Sequence, residues 1–262
     1  VPTLILVGGL TPAWGRRAAD WIEASGLPCV VEPTANLGRR LSREVAGGDK
    51  ALALLQPGQV LRIGAVPHWR WWRDLENSTE VRAAHVTQPA FPGLARSQNS
   101  CVFSMQVLEV EPPRLTPVST AALPRLEEDL EALLARHPFS EPAWIHRLSG
   151  GLQPGELLFI GNSLPVRELS LVGLDPRVEV AANRGANGID GLVSTFLGMT
   201  ADRPDAWLML GDLSAGYDLA APWILRDLAP GRRRIVVINN GGGRIFSRVA
   251  SLRALPDATR TL

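Results

Sequence analysis

The stretch from Leu208 to Phe246, LMLGDLSAGYDLAAPWILRDLAPGRRRIVVINNGGGRIF, limits the fold of this chain more than any other. An apolar run ends in Gly211-Asp212. An apolar-periodic helical segment follows, and a basic loop leads to a second apolar run that ends in Asn239-Asn240. Strand, helix, strand with polar residues only at the strand ends is the unit of a parallel α/β sheet. Ligands bind such sheets at the carboxyl ends of the strands. There the sequence places Asp212 after the first run and Asn239, Asn240 and Gly241 to Gly243 after the second. A carboxylate, an amide oxygen and exposed carbonyls are hard ligands suited to Mg2+ or Ca2+. Glycines let backbone N–H groups close on a phosphate. Read from these residues alone, the stretch is a metal–diphosphate site. The plainer alternative is a parallel-sheet strand pair with ordinary Asn and Gly turns, which a Gly-Asp turn taken alone would favour.

The chain ahead of it reads as more of the same class. Residues 3–8 form a buried strand, and Thr11 (N-cap), Pro12 (first helical position) and Gly26 (stop) frame a helix over 12–25. A strand at 28–32 completes a βαβ start. The GGLTPAWG turn lacks the G-x-G-x-x-G spacing and is read as a tight strand-to-helix turn. Residues 36–56 read as a loop with short helical pieces, 60–66 as a strand, and 82–110 as two strands around a loop at 88–100. The cluster Trp69, Arg70, Trp71, Trp72, Arg73 invites a nucleic-acid reading. A net charge of +1 with no further basic stripe opposes it, so an amphipathic helix with its tryptophans on the sheet is expected.

The proline-rich run at 111–120 marks a linker. Leu126, Leu130, Leu133 and Leu134 predict a helix from Pro124 that His137-Pro138 ends, and another helix opens near Glu141. Strands at 157–161 and 178–185 follow, ending in Asn162-Ser163 with Arg167 beyond, and in Asn183-Arg184-Gly185. Ile189, Leu192, Val193, Phe196 and Leu197 share one helical face that reads as core. Four strand ends thus carry polar, glycine-bearing turns at one edge, which makes a site there the better reading. The expected fold is α/β, two Rossmann-like three-layer domains with mainly parallel sheets: 1–120, a linker helix at 121–139, and 140–262.

Composition closes off other classes. Apolar residues make up 45% and charged residues 20% of the chain, the balance of a globular protein. Two isolated cysteines, Cys29 and Cys101, support neither a disulfide framework nor a zinc cluster and suit a reducing, cytoplasmic setting. No apolar run approaches the ~20 residues of a membrane span. The chain opens directly on a strand at Val1, which reads as a start in mid-protein.

Gly-Asp followed 28 residues later by the second Asn of Asn-Asn resembles the thiamine diphosphate motif, with Leu213 where its commonest form has Gly. GDLSxxYDL, NNGGGRIF, GNSxxxR and NRGAxGIDG together resemble one branch. That branch is the 2-succinyl-5-enolpyruvyl-6-hydroxy-3-cyclohexene-1-carboxylate (SEPHCHC) synthase family, the MenD enzymes of menaquinone and phylloquinone biosynthesis. The resemblance is specific in the second half of the chain and loose in the first, where it implies the family's central domain. It implies thiamine diphosphate and Mg2+, with Mn2+ as a substitute, and 2-oxoglutarate and isochorismate as substrates. By the same resemblance Asp212, Asn240 and the Gly242 carbonyl hold the metal. Gly211, Leu213 and Ser214 join them around the cofactor, and Ile245 and Phe246 flank the thiamine. Ser163, Arg167 and Arg184 line the substrate pocket. In Gly-x-x-Pro-x-Ser-Lys of the family, Gly64 and Pro67 match, His68 and Trp69 depart, and Arg70 takes the place of the substrate-binding lysine.

The implied reaction is decarboxylation of 2-oxoglutarate and addition of the succinyl-semialdehyde unit to isochorismate. No catalytic residue is assigned in this chain. The activating glutamate is expected in an N-terminal domain of the partner subunit, which nothing here resembles, and the cofactor domain reads as incomplete at its C-terminus. The chain alone is therefore expected to be inactive, and the full-length protein to be a homodimer or homotetramer. Two alternatives stay open: a non-catalytic diphosphate- or nucleotide-binding module, and another thiamine diphosphate enzyme of the 2-oxoacid decarboxylase or acetolactate synthase kind.

Overall fold

The computed structural model describes residues 1–88, 91–121, 123, 126–185, 188–203 and 205–248. Two mainly parallel sheets with alternating helices make an α/β architecture. Contacts divide the chain into two compact units, Val1–Pro154 with Leu169–Glu179, and Gly155–Glu168 with Val180–Leu262.

In the first unit β1 (Pro2–Val7), α1 (Pro12–Ser25) and β2 (Cys29–Val31) form the expected βαβ start. Thr11 accepts a hydrogen bond from the Trp14 N–H at 3.5 Å, and Gly26 closes the helix at φ 64°, a left-handed conformation that favours glycine. Next come α2 (Gly48–Leu54), β3 (Gln59–Ile63), α3 (Arg70–Asp74), β4 (Arg82–Val86), β5 (Ser100–Phe103) and β6 (Thr116–Pro117). The sheet order is β2-β1-β3-β4-β5, with β6 also paired to β1. The run at 111–120, read from sequence as linker, therefore holds a short strand, Thr116 opposite Pro2.

Alternation along β1 separates two apolar layers. Ile5 and Val7 pack with Ala18, Trp21 and Ile22 of α1 on one face. Leu4 and Leu6 pack with Leu52, Trp69 and Trp72 on the other. Trp69 and Trp72 are each 2% exposed, so they are core, and the stacking platform that nucleic acid would need is absent at both.

Then follow α4 (Leu126–Arg136) and α5 (Glu141–Gly150), where Ser140 accepts the Ala143 N–H as a cap. Pro124, from which the first of these was expected to start, lies outside the described residues.

The second sheet holds β7 (Leu157–Ile160), β8 (Glu179–Ala181), β9 (Asp205–Gly211) and β10 (Arg232–Ile238) in the order β10-β9-β7-β8. Between β7 and β8 runs α6 (Leu164–Val172), and between β8 and β9 runs α7 (Leu192–Met199). Leu192, Val193, Phe196 and Leu197 of α7 pack on Leu157, Phe159, Leu208 and Leu210 of the sheet, as their spacing predicts. Ile189 precedes the helix and is only half-buried.

The segment between β9 and β10 departs from expectation. In place of one helix it forms α8 (Asp212–Tyr217) and a 3-10 turn at Ala221–Asp227. Pro222 has no N–H to donate back into a helical turn, so the segment restarts there. Tyr217, Leu219, Trp223, Ile224 and Leu225 remain exposed. Among the described residues, no helix is long and apolar enough to cross a membrane.

Candidate functional site

Parallel pairing puts the carboxyl ends of β7, β9 and β10 at one edge of the second sheet, and hydrogen bonds from Asn162 bring the turn after β8, the neighbour of β7, to the same edge. Four turns leave from that edge, and hydrogen bonds tie them into two groups.

The first group joins the turns after β9 and β10. Gly211 ends β9 and Asp212 begins α8. The Asp212 carboxylate accepts the Leu213 N–H at 2.8 Å through Oδ1 and the Gly242 N–H at 2.8 Å through Oδ2. One side chain therefore bridges the Gly-Asp turn and the Asn-Asn-Gly turn, 30 residues apart in sequence. Gly241, Gly242 and Gly243 have φ of 82°, 81° and 59°, a run of left-handed backbone that only glycine adopts without strain. A Cβ on Gly242 would also come within 3.4 Å of the Leu213 side chain. The Asn239 side-chain oxygen accepts the Gly241 N–H at 3.1 Å, and Arg244 Nε donates to the Asn240 carbonyl at 2.9 Å. Ser214 is buried in α8, and Ile245 and Phe246 lie in the 3-10 turn that follows the glycines.

Among the described residues, no cluster of three or more His, Cys, Asp or Glu suits a metal. A cation at this edge would meet one carboxylate, an amide and carbonyl oxygens. That donor set fits Mg2+, which keeps an octahedral oxygen shell and shares it with substrate phosphates. The left-handed glycines open the backbone for a diphosphate.

The second group joins the turns after β7 and β8. Gly161 lies against β9, donating to the Met209 carbonyl at 2.7 Å, and a Cβ there would come within 2.9 Å of Leu210. Asn162, 2% exposed, donates through Nδ2 to the carbonyls of Asn183 at 3.0 Å and Gly188 at 2.8 Å. Its Oδ1 accepts from Arg184 Nη1 at 2.8 Å. Ser163 has φ 74°, left-handed for a residue with a Cβ. Such strain persists only where surrounding structure enforces it. Arg167 lies one helical turn further along α6, half-buried. Ala186 and Asn187 of the NRGANGIDG segment, and residues 249–262 after the last turn, are outside the described residues.

Arg70 belongs to the first unit. Its side chain is exposed beside Asp74 at 3.8 Å, and its backbone N–H donates to Asp49 at 3.1 Å. The first unit also contains a cavity of about 760 Å3 between the 30–48 loop, α4, α5 and residues 169–178. None of the predicted site residues lines it, and Glu32, Glu44, Arg39 and Arg177 give it mixed charge.

Two contributors escaped sequence reasoning. Asn162 was visible only as one of several polar residues at a strand end. Asp218 was visible in the YDL segment, but its partner was not. Its carboxylate accepts the N–H and hydroxyl of Ser194 at 2.7 and 2.8 Å, anchoring the start of α7.

The sequence of this chain is similar to those of several curated proteins. The chain is 34% identical to the 2-succinyl-5-enolpyruvyl-6-hydroxy-3-cyclohexene-1-carboxylate synthase of Akkermansia muciniphila over 99% of its own length. It is 38% identical to the synthase of the same name from Bdellovibrio bacteriovorus over 94%, and 32% identical to that of Halorhodospira halophila over 100%. The chain belongs to this synthase family. It spans about half the length of these relatives, 50%, 49% and 50% respectively. No protein-family model matches the chain. The resemblance stated from GDLSxxYDL, NNGGGRIF, GNSxxxR and NRGAxGIDG thus extends over nearly all the chain, first unit included.

Proposed function

We propose that these residues form the cation- and diphosphate-binding part of a thiamine diphosphate-dependent SEPHCHC synthase. The observation that carries the reading is the Asp212 carboxylate accepting the Gly242 N–H, because it brings the two halves of the motif into one site. Asp212, the Asn240 side chain and the Gly242 carbonyl hold Mg2+. The Gly211–Ser214 and Gly241–Gly243 backbone receives the diphosphate, and Ile245 and Phe246 flank the thiamine. When bound, thiamine diphosphate supplies the electron sink that lets a 2-oxoacid lose CO2. The chain's own part is binding and orientation. Ser163, Arg167 and Arg184 receive the carboxylates of 2-oxoglutarate and isochorismate, for which a guanidinium offers two parallel donors.

The test is made on the full-length protein. Isochorismate absorbance should fall and CO2 should be released from 2-oxoglutarate only when thiamine diphosphate and Mg2+ are both present, with ADP or NAD giving no binding. Preferential binding of a nucleotide would replace this reading with that of a nucleotide module. The 262 residues alone are expected to give neither signal. Turnover by them at a rate near that of the full-length protein would place an activating base within these residues.

Within this reading, Arg167→Ala should leave thiamine diphosphate affinity nearly unchanged. It should lower kcat/KM roughly tenfold to a hundredfold, the effect of removing one charge-assisted hydrogen-bonded pair. Loss of the cofactor itself would move Arg167 from the substrate pocket to the cofactor shell.

A further inference from the structure

Asn162 does more than end a strand. A primary amide is the side chain that presents two donors and an acceptor in one plane. Here both donors and the acceptor are used, the donors on the carbonyls of Asn183 and Gly188 and the acceptor on Arg184. The residue is 2% exposed, so water does not stand in readily for any of the three. Its acceptor is neutral. It therefore helps fix the plane of the Arg184 guanidinium and, unlike a carboxylate in the same place, adds no negative charge beside it. Long, flexible side chains lose affinity to the entropy of being ordered, and a residue that orders them beforehand removes that loss.

We propose that Asn162 is a positioning residue: it holds Arg184 ready for a carboxylate and raises affinity for a dicarboxylate ligand without touching it. The ligand class rests on the proposed function above. The positioning itself rests on the three hydrogen bonds.

Two measurements on the full-length protein separate these. The first needs no ligand. Hydrogen exchange at residues 183–185 and 188 should speed up in Asn162→Ala at least tenfold relative to the parent, because the Asn183 and Gly188 carbonyls and the Arg184 side chain each lose a hydrogen bond. Unchanged exchange overturns the inference, whatever the protein binds.

The second uses glutarate, a dicarboxylate with no keto group to decarboxylate, titrated by calorimetry with Mg2+ and thiamine diphosphate present. Asn162→Ala should weaken glutarate roughly threefold to tenfold, the effect of one side chain left to order itself. The same substitution on an Arg184→Ala background should have no further effect. Additive losses would mean that Asn162 acts on the fold at large, and would overturn the proposal. Should Asn162→Ala fail to fold, Asn162→Ser keeps a small polar side chain, adds no charge beside Arg184, and runs the same cycle. An exchange difference between variant and parent, together with no glutarate binding by the parent, would overturn the dicarboxylate assignment, and with it the affinity role given to Asn162.

Discussion

Replacing Asp212 with alanine is expected to abolish Mg2+-dependent retention of thiamine diphosphate by the full-length protein. The side chain has two tasks in the structure. Its oxygens tie the turn after β9 to the turn after β10 through the N–H groups of Leu213 and Gly242. It is also the one charged oxygen ligand in the proposed set, since Asn240 and the Gly242 carbonyl are neutral. Mg2+ sheds water reluctantly and holds few protein ligands, so one carboxylate is a large share of what fixes it. Loss of even an outer-shell partner typically costs a metal site 10- to 100-fold in affinity, so loss of a direct ligand should cost at least about 100-fold. Asp212→Asn keeps the shape and one acceptor but no charge, and should fall between parent and alanine. Calorimetry with and without Mg2+ checks both variants. Equal thiamine diphosphate binding by Asp212→Ala and parent would remove Asp212 from the metal. Melting temperature gives a second reading, because a ligand bound only by the folded state raises it and Asp212→Ala should lose that rise.

Local signals were the legible ones. Thr11, Pro12 and Gly26 bound α1 within the sequence they cap, and the observed helix runs from Pro12 to Ser25. Apolar runs located the strands, and the turns that end them located the edge at which Asp212 and Gly242 meet. Where the deciding partner is distant, the sequence was silent. Thr116 and Pro117 looked like linker because nothing near them reveals that β1 lies alongside. Asn162 looked like one polar turn residue among many, since its three partners are 21 to 26 positions away. The segment after Asp212 has helical apolar spacing, yet Pro222 interrupts it. A period describes which residues share a face but not whether the backbone can hydrogen-bond continuously through them. Arg62 and His85 were passed over for the same reason as Asn162. Each sits in an apolar strand, and only the pairing of β3 with β4 places them opposite one another.

That buried pair carries the second large effect, a loss of stability on acidification. Arg62 is 1% and His85 0% exposed. Arg62 donates through Nε to His85 Nδ1 at 3.3 Å, and through its two Nη groups to the carbonyls of Gly64 and Phe91, each at 2.8 Å. Because Nδ1 accepts, the imidazole proton belongs on Nε2, which lies 3.0 Å from the Ser100 hydroxyl. His85 is thus neutral when folded. Burial first, and then the guanidinium groups of Arg62 and Arg96, lower its pKa from 6.5 to about 4. Arg62 stays charged, its own pKa lowered by burial to about 10.

In the unfolded chain, imidazole takes up a proton near pH 6.5. Between about pH 6.5 and 4 the unfolded state therefore binds more protons than the folded one, and stability must fall as pH falls. The contribution is fully present above about pH 6.5 and gone below about pH 4. At 1.36 kcal/mol per pKa unit, the depression corresponds to about 3 kcal/mol, a large fraction of a typical domain's stability. Carboxylates titrate in the lower part of the same range, so the measurement is a difference. Urea unfolding of parent and His85→Gln should be compared from pH 7.5 to 4, glutamine keeping an acceptor for Arg62 without a titrating group. The parent should lose about 3 kcal/mol more than the variant over that range. Parallel pH profiles would mean that His85 takes up its proton in the fold over the same range as in the unfolded chain, so that neither burial nor Arg62 depresses its pKa.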